Sequence, residues 1–153
     1  MAAGAFTFFD KAGLNFFSAT NLLNPANTFK MTLHTSSYTP NDATNEVFAD
    51  VTNELATANG YTAGGITLTS VTLAQTSGVT KFTSAAAVWT ASGGSIPAWR
   101  YGVVRAVGTL NGKVDPVVGY FLGDSTPADV PATTAPNTLT ITPNASGILT
   151  ATV

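Results

Sequence analysis

Residues 98–107 read Ala-Trp-Arg-Tyr-Gly-Val-Val-Arg-Ala-Val. Large apolar side chains at Trp99, Tyr101, Val103 and Val107 alternate with Arg100, Gly102, Val104 and Ala106, a period of two that predicts a strand with one buried face. Shortly after it stands Asn111-Gly112, the pair best suited to the left-handed backbone of a two-residue hairpin turn. The chain is therefore expected to return antiparallel over residues 117–122, after Asp115-Pro116 delays the second strand. Arg105 breaks the pattern. It falls on the face of Val103 and Val107, which predicts that this face meets water or a partner at its far end.

The same period recurs along the chain. Phe29, Met31 and Leu33 alternate with Lys30, Thr32 and His34, so residues 28–33 form a strand. In 65–74, Ile66 and Leu68 share one phase and Val71 and Leu73 the other; a bulge near Thr69 or Ser70 would reconcile them. After Ser77-Gly78, residues 79–84 pair back as a hairpin, and 87–91, 138–142 and 148–153 supply further strands. Residues 36–45 are a loop, and 124–136, with Pro127, Pro131 and Pro136, are an extended loop with little structure of its own. One stretch argues for helix: in 46–55, Val47, Phe48, Val51 and Leu55 share one side, with Asn59-Gly60 as a stop. Seven or eight strands and one short helix predict an all-β fold, an antiparallel β-sandwich or barrel-like domain.

Residues 1–27 differ in character. Phe6, Phe8, Phe9, Leu14, Phe16, Phe17, Leu22 and Leu23 come in clusters with no single period. They predict either a first strand and short helix lying on the chain's own core or an extended apolar arm packed on a neighbouring subunit. The arm reading divides the chain into an arm over 1–27 and a β-sandwich domain over 28–153.

Composition narrows the function classes. The chain has 153 residues, enough for one domain, with a charged fraction of 9% and a hydrophobic fraction of 44%. Ordinary soluble domains are about 25% charged, so Thr, Ser and Asn must make most of the wet surface. Such a surface fits an extracellular working place, burial by neighbours in an assembly, or simply a Thr-rich β-protein. Six basic residues are scattered without a run, which argues against a nucleic-acid partner. No cysteine is present, so disulfides and thiolate metal sites are excluded. The N-terminus lacks a basic region before its apolar residues, and no apolar run is long enough to cross a bilayer as a helix; neither a signal peptide nor a membrane partner is expected.

The search for catalytic groups yields little. His34 is the only histidine and reads as an ordinary strand residue in preference to a lone base. Residues 108–113 superficially resemble a phosphate loop, but one residue is missing between the glycines and Val114 stands where Ser or Thr is needed. No cofactor or metal is expected. Asp42, Glu46, Asp50 and Glu54 recur every four residues, an acidic stripe on the expected helix that is either a solvated face or a site for a cation or basic partner. Arg100 and Arg105 lie on opposite faces of the central strand, each free to pair across an interface or to stay solvated.

Several stretches, in order from about Lys30 to the C-terminus, carry a resemblance. They are Met-Thr-Leu-His-Thr-Ser-Ser-Tyr-Thr-Pro at 31–40, Asn-Glu-Leu at 53–55, Gly-Tyr-Thr-Ala-Gly-Gly at 60–65, Val-Trp-Thr-Ala at 88–91, Arg-Tyr-Gly-Val-Val at 100–104, Val-Gly-Tyr-Phe at 118–121 and Gly-Ile-Leu at 147–149. In these the chain resembles a family of tailed-bacteriophage structural proteins, small β-domains of the virion. The resemblance implies a structural protein and no enzyme. With the low charge and the apolar segment, it leads to the expectation of a capsid decoration (cement) protein, made in the host cytoplasm and carried on the capsid surface. Its partners would be the major capsid protein and its own copies, as a trimer over junctions between capsid subunits. Phe6, Phe8, Phe9, Phe16 and Phe17, with Arg100 and Arg105, would make the interface. The alternative is a tail or fibre component with a receptor- or glycan-binding surface at Trp99 and Tyr101 or on the Thr-rich loops. The Phe-rich start and the loop 124–136 fall outside the shared pattern and would be where this chain meets its particular neighbours.

Overall fold

The computed structural model describes residues 5–10, 21–77, 79–126 and 128–152. Within them the chain is all-β, antiparallel and sandwich-like. In order the strands are β1 (Phe6–Phe8), β2 (Phe29–His34), β3 (Ile66–Thr67), β4 (Thr72–Thr76), β5 (Val79–Thr83), β6 (Ala87–Thr90), β7 (Ser95–Ile96), β8 (Tyr101–Ala106), β9 (Thr109–Leu110), β10 (Lys113–Val114), β11 (Val117–Leu122), β12 (Thr133–Thr134), β13 (Thr138–Ile141) and β14 (Leu149–Thr152). One five-stranded sheet runs β1-β11-β8-β2-β3; β14-β5-β4 form a second, and β13-β6, β12-β7 and the β9-β10 hairpin pair separately. Asn111 and Gly112 take φ of 52° and 74°, the left-handed values expected of that turn.

The stretch 98–107 supplies β8, the middle strand of the large sheet. Met31 stands opposite Val104, Thr32 opposite Val103, Tyr120 opposite Val103 and Phe121 opposite Gly102. Both faces of β8 are buried, where alternation predicted one. Val104 and Ala106 enter the main core; Val103 enters a second, smaller cluster with Tyr101 packed against it. The expected face also divides. Trp99 precedes β8, bridges to Val130 and joins the main core, whereas Val107 is on the surface.

The main core joins Phe29, Met31 and Leu33 of β2 to Phe82, Trp89 and Ile96 of the other sheets. Phe29 and Phe82 meet edge-on at 5.0 Å. The phase change in residues 65–74 is a change of sheet, not a bulge: β3 pairs with β2, Ser70 takes φ of 51°, and β4 pairs with β5. The proline-rich loop has structure after all. Val130 is buried against Trp99, and β12 pairs with β7, a strand the sequence pattern did not reveal.

The opposite face of the large sheet is covered by residues 35–55, and these do not form the expected helix. Val47 makes a bridge to Pro116, Phe48–Asp50 is a single 3-10 turn, and Asn53 has a left-handed φ of 57°. The Leu55 N–H donates to the Leu33 carbonyl. Three backbone hydrogen bonds, from Phe48 N–H to the Asp115 carbonyl, from Val117 N–H to the Glu46 carbonyl and from Leu55 N–H to the Leu33 carbonyl, override a helical stretch too short to hold alone.

The described residues before the expected division at residue 27 pack on the same sheet and cores as those after it. β1 pairs with β11, Phe9 is fully buried in the second cluster, and Leu22 and Leu23 lie in the main core. Aromatic side chains this close to an open strand edge gain more by closing their own sheet than by remaining exposed. Gly119 permits the fit: a Cβ there would stand 2.3 Å from the Thr7 carbonyl oxygen of β1. Lys11, Leu14, Phe16 and Phe17 lie outside the described residues.

Candidate functional site: the polar face of the large sheet

Ionisable side chains gather on the face covered by residues 35–55, and the strands' alternation puts them there. His34 of β2 and Arg105 of β8 occupy the positions that point away from the main core. His34 is fully buried. Its Nδ1 donates to the Thr52 carbonyl at 2.8 Å, which leaves Nε2 to accept from the Thr32 hydroxyl, also at 2.8 Å. Burial lowers its pKa to about 4, against a smaller opposing effect of the Thr52 bond. The imidazole is neutral at pH 7 and both nitrogens are occupied, so it has no lone pair to offer a substrate.

Arg105 is 6% exposed. Nη1 donates to Asp115 Oδ2 at 2.6 Å, Nη2 donates to the Gly64 carbonyl at 3.2 Å, and Cζ sits 4.2 Å from the centre of the Phe48 ring. Asp115 in turn accepts from the Gly108 N–H through Oδ1 at 2.6 Å, and its own carbonyl accepts from Phe48 N–H. One guanidinium thus ties the base of the β9-β10 hairpin to the covering loop and to the Gly64 turn. At the far end of this face Arg105 is paired within the chain, while the Asp115 side chain stays 28% exposed and Val107 lies on the surface.

The four carboxylates of the expected stripe are dispersed, because the helix that would align them is absent. Asp50 Oδ2 accepts from the N–H groups of Glu46 and Val47, both at 3.0 Å. Glu46 meets Lys113 at 3.0 Å. Glu54 Oε1 accepts from the Tyr61 hydroxyl at 2.7 Å and from Gly64 N–H at 2.6 Å. Asp42 lies beside Tyr120 and raises that hydroxyl's pKa, second to burial. Among the described residues, no group of three His, Cys, Asp or Glu side chains could hold a metal ion.

Beside Tyr101, which the sequence singled out with Trp99, Tyr38, Tyr61 and Tyr120 are functional-looking residues to which the sequence reading gave no role. Tyr61 is buried and its hydroxyl, besides donating to Glu54, accepts from Leu33 N–H at 3.0 Å. Burial, with Glu54 adding to it, pushes its pKa well above the ordinary tyrosine value. Tyr38, also buried, donates to Asn45 Oδ1 at 2.8 Å and meets Tyr101 edge-on at 5.6 Å. Tyr101 and Tyr120, at 6.3 Å, are half-buried and show part of their rings to solvent. Tyr38 and Tyr101 lie far apart in the chain, so no local spacing signals the cluster.

The other expected interface residues that are described, Phe6, Phe8, Phe9 and Arg100, have partners inside the chain. Phe6 and Phe8 meet at 5.4 Å, and Phe6 stacks on Phe121. Phe9 packs on Tyr120 at 5.4 Å. Arg100 Nε meets Asp129 at 2.8 Å on the surface. Trp99 is buried on the opposite side of the sheet from Tyr101, so the two do not form one surface. No family model matches the chain, and no curated protein or solved structure matches it either.

Proposed function

We propose that this chain is a virion structural protein of a tailed phage, a capsid decoration (cement) protein that stabilises the shell by binding major capsid subunits. The observation that carries the reading is where the charges go. Arg105, Arg100 and Lys113 are matched within the chain to Asp115, Asp129 and Glu46, and Lys81 Nζ reaches the Ala145 carbonyl. Most of the exposed strand positions are Thr, with Ala74, Gln75, Val88 and Val114 among the rest and Lys81 as the one charge among the described residues. A neighbour can cover such a surface without stripping water from unpaired charge. The order of the phage-like stretches supplies the setting. Adhesion would rest on these strand surfaces, since Phe6, Phe8 and Phe9 serve the chain's own sheet.

A second reading, a glycan-binding tail or fibre module, has Tyr101 and Tyr120 as half-exposed aromatic rings in its favour. Co-sedimentation of the purified chain with shells lacking it separates the two. Saturable binding to shells supports decoration. Failure to bind shells, with saturable binding to host-surface glycans, supports the second reading and removes the first.

A further inference from the structure

The strand β4 closes one side of the β14-β5-β4 sheet and has no strand on its outer side among the described residues. It is the longest of the edge strands, at five residues. Natural edges of this length are normally blunted by charge, proline, a bulge or a covering loop. β4 reads Thr-Leu-Ala-Gln-Thr and carries no charge or proline. The charged side chain of its neighbour, Lys81, stands beside Ala74 in register but extends its Nζ to the Ala145 carbonyl, in the turn leading to β14. Leu73 packs against the main core and fixes the strand in place, while Thr72, Ala74, Gln75 and Thr76 are exposed.

We propose that β4 pairs antiparallel with β4 of a second copy, about a two-fold axis through Ala74. Hydrogen-bond geometry and side chains agree on this register. Thr76 and Val79 face each other as the last pair of the β4-β5 register, with two residues between them along the chain, and a pair so closed exchanges both of its hydrogen bonds. Along β4 the alternation then directs the backbone groups of Thr76, Ala74 and Thr72 at β5 and those of Leu73 and Gln75 outward. Centred on Ala74, Leu73 of one copy meets Gln75 of the other twice, so the four outward N–H and C=O pairs bond reciprocally. Ala74 meets its own mate in the close, non-bonded position, about 4.5 Å apart at Cα, where the two small side chains meet without a clash. Thr72 meets Thr76, a favourable cross-strand pair. The segment reads nearly the same in both directions in polarity and size, as an isologous interface demands. The product is a continuous six-stranded sheet and a dimer, two-fold where the sequence led to the expectation of a trimer.

The purified chain alone tests this, independently of any virion. The wild type should run at twice its monomer mass in size-exclusion chromatography with light scattering. Ala74→Lys, which sets two like charges face to face, should run as a monomer with the far-UV circular dichroism of the folded wild type, and mixing it with Ala74→Glu should restore the dimer. The chain has no cysteine, so Ala74→Cys should give a disulfide dimer under mild oxidation, since that Cα separation lies within disulfide range. Val88→Cys, at an exposed valine of β6, should not. A monomeric or trimeric wild type, a dimeric Ala74→Lys, or equal cross-linking at positions 74 and 88 would overturn the proposal.

Discussion

The two faces of the large sheet are both buried, but they are built from different chemistry. One is covered by other strands and filled with Phe29, Met31, Leu33, Phe82 and Trp89. The other is covered by the loop 35–55, and its interior holds Thr32, His34, Tyr38 and Arg105. A strand layer satisfies its own backbone groups; a loop does not, so a sheet face that takes a loop as its lid must offer it donors and acceptors. His34 donates to the Thr52 carbonyl and the Leu33 carbonyl accepts from Leu55 N–H; within the lid Asn45 accepts from Tyr38 and Asn41, and beside it Arg105 donates to the Gly64 turn. The dry face supplies bulk stability. The polar face fixes one conformation of the lid and makes stability depend on pH.

The contrast can be broken from the dry side first. Phe29→Ala leaves a cavity at a fully buried site and should cost about 3–5 kcal/mol, read by urea unfolding. The loss should be the same at pH 7 and pH 5, because nothing that titrates touches the site.

The polar side should respond to acid. The unfolded imidazole takes a proton as pH falls through about 6.5, but the folded one does so only near 4. The stabilising difference is therefore complete above pH 6.5 and lost as pH falls from 6.5 to 4, by on the order of 3 kcal/mol. Unfolding free energies across that window check this. His34→Gln should flatten the dependence there; an unchanged slope would assign it to the carboxylates.

A smaller effect is expected at Arg105. Arg105→Met keeps most of the volume but deprives Asp115 and the Gly64 carbonyl of their donor. Because the Asp115 side chain is 28% exposed and can regain water, the cost should be about 2 kcal/mol, below that of a fully buried pair. Amide exchange should quicken in residues 108–115 more than in β2. Uniform quickening would show that the residue acts through packing alone.

Much of the sheet was legible because alternation is a local property. Phe29, Met31 and Leu33 and the Asn111-Gly112 turn announce themselves without knowledge of their partners. Residues 46–55 misled because Val47, Val51 and Leu55 are spaced like a helix but belong to separate contacts: a bridge to Pro116, the end of a 3-10 turn, and a bond to Leu33. Apolar spacing alone does not say what each residue faces. The polar site was the least visible. Arg105, Asp115 and Gly64 come together only through the register of β2 with β8 and the return of the hairpin. Arg105 itself stood out as a charge in an apolar alternation, yet that anomaly fits an internal pair as well as an interface. Tyr61 gave no signal, since its partner Glu54 looked like one member of a regular acidic stripe.

A chain that coats a phage shell, as proposed, is present in many copies per particle. Quantitative mass spectrometry of purified virions that encode it would measure its copy number against the major capsid protein. Comparable abundance is the predicted result. A few copies per particle would assign it to the tail or fibres, and absence from the particle would contradict the account.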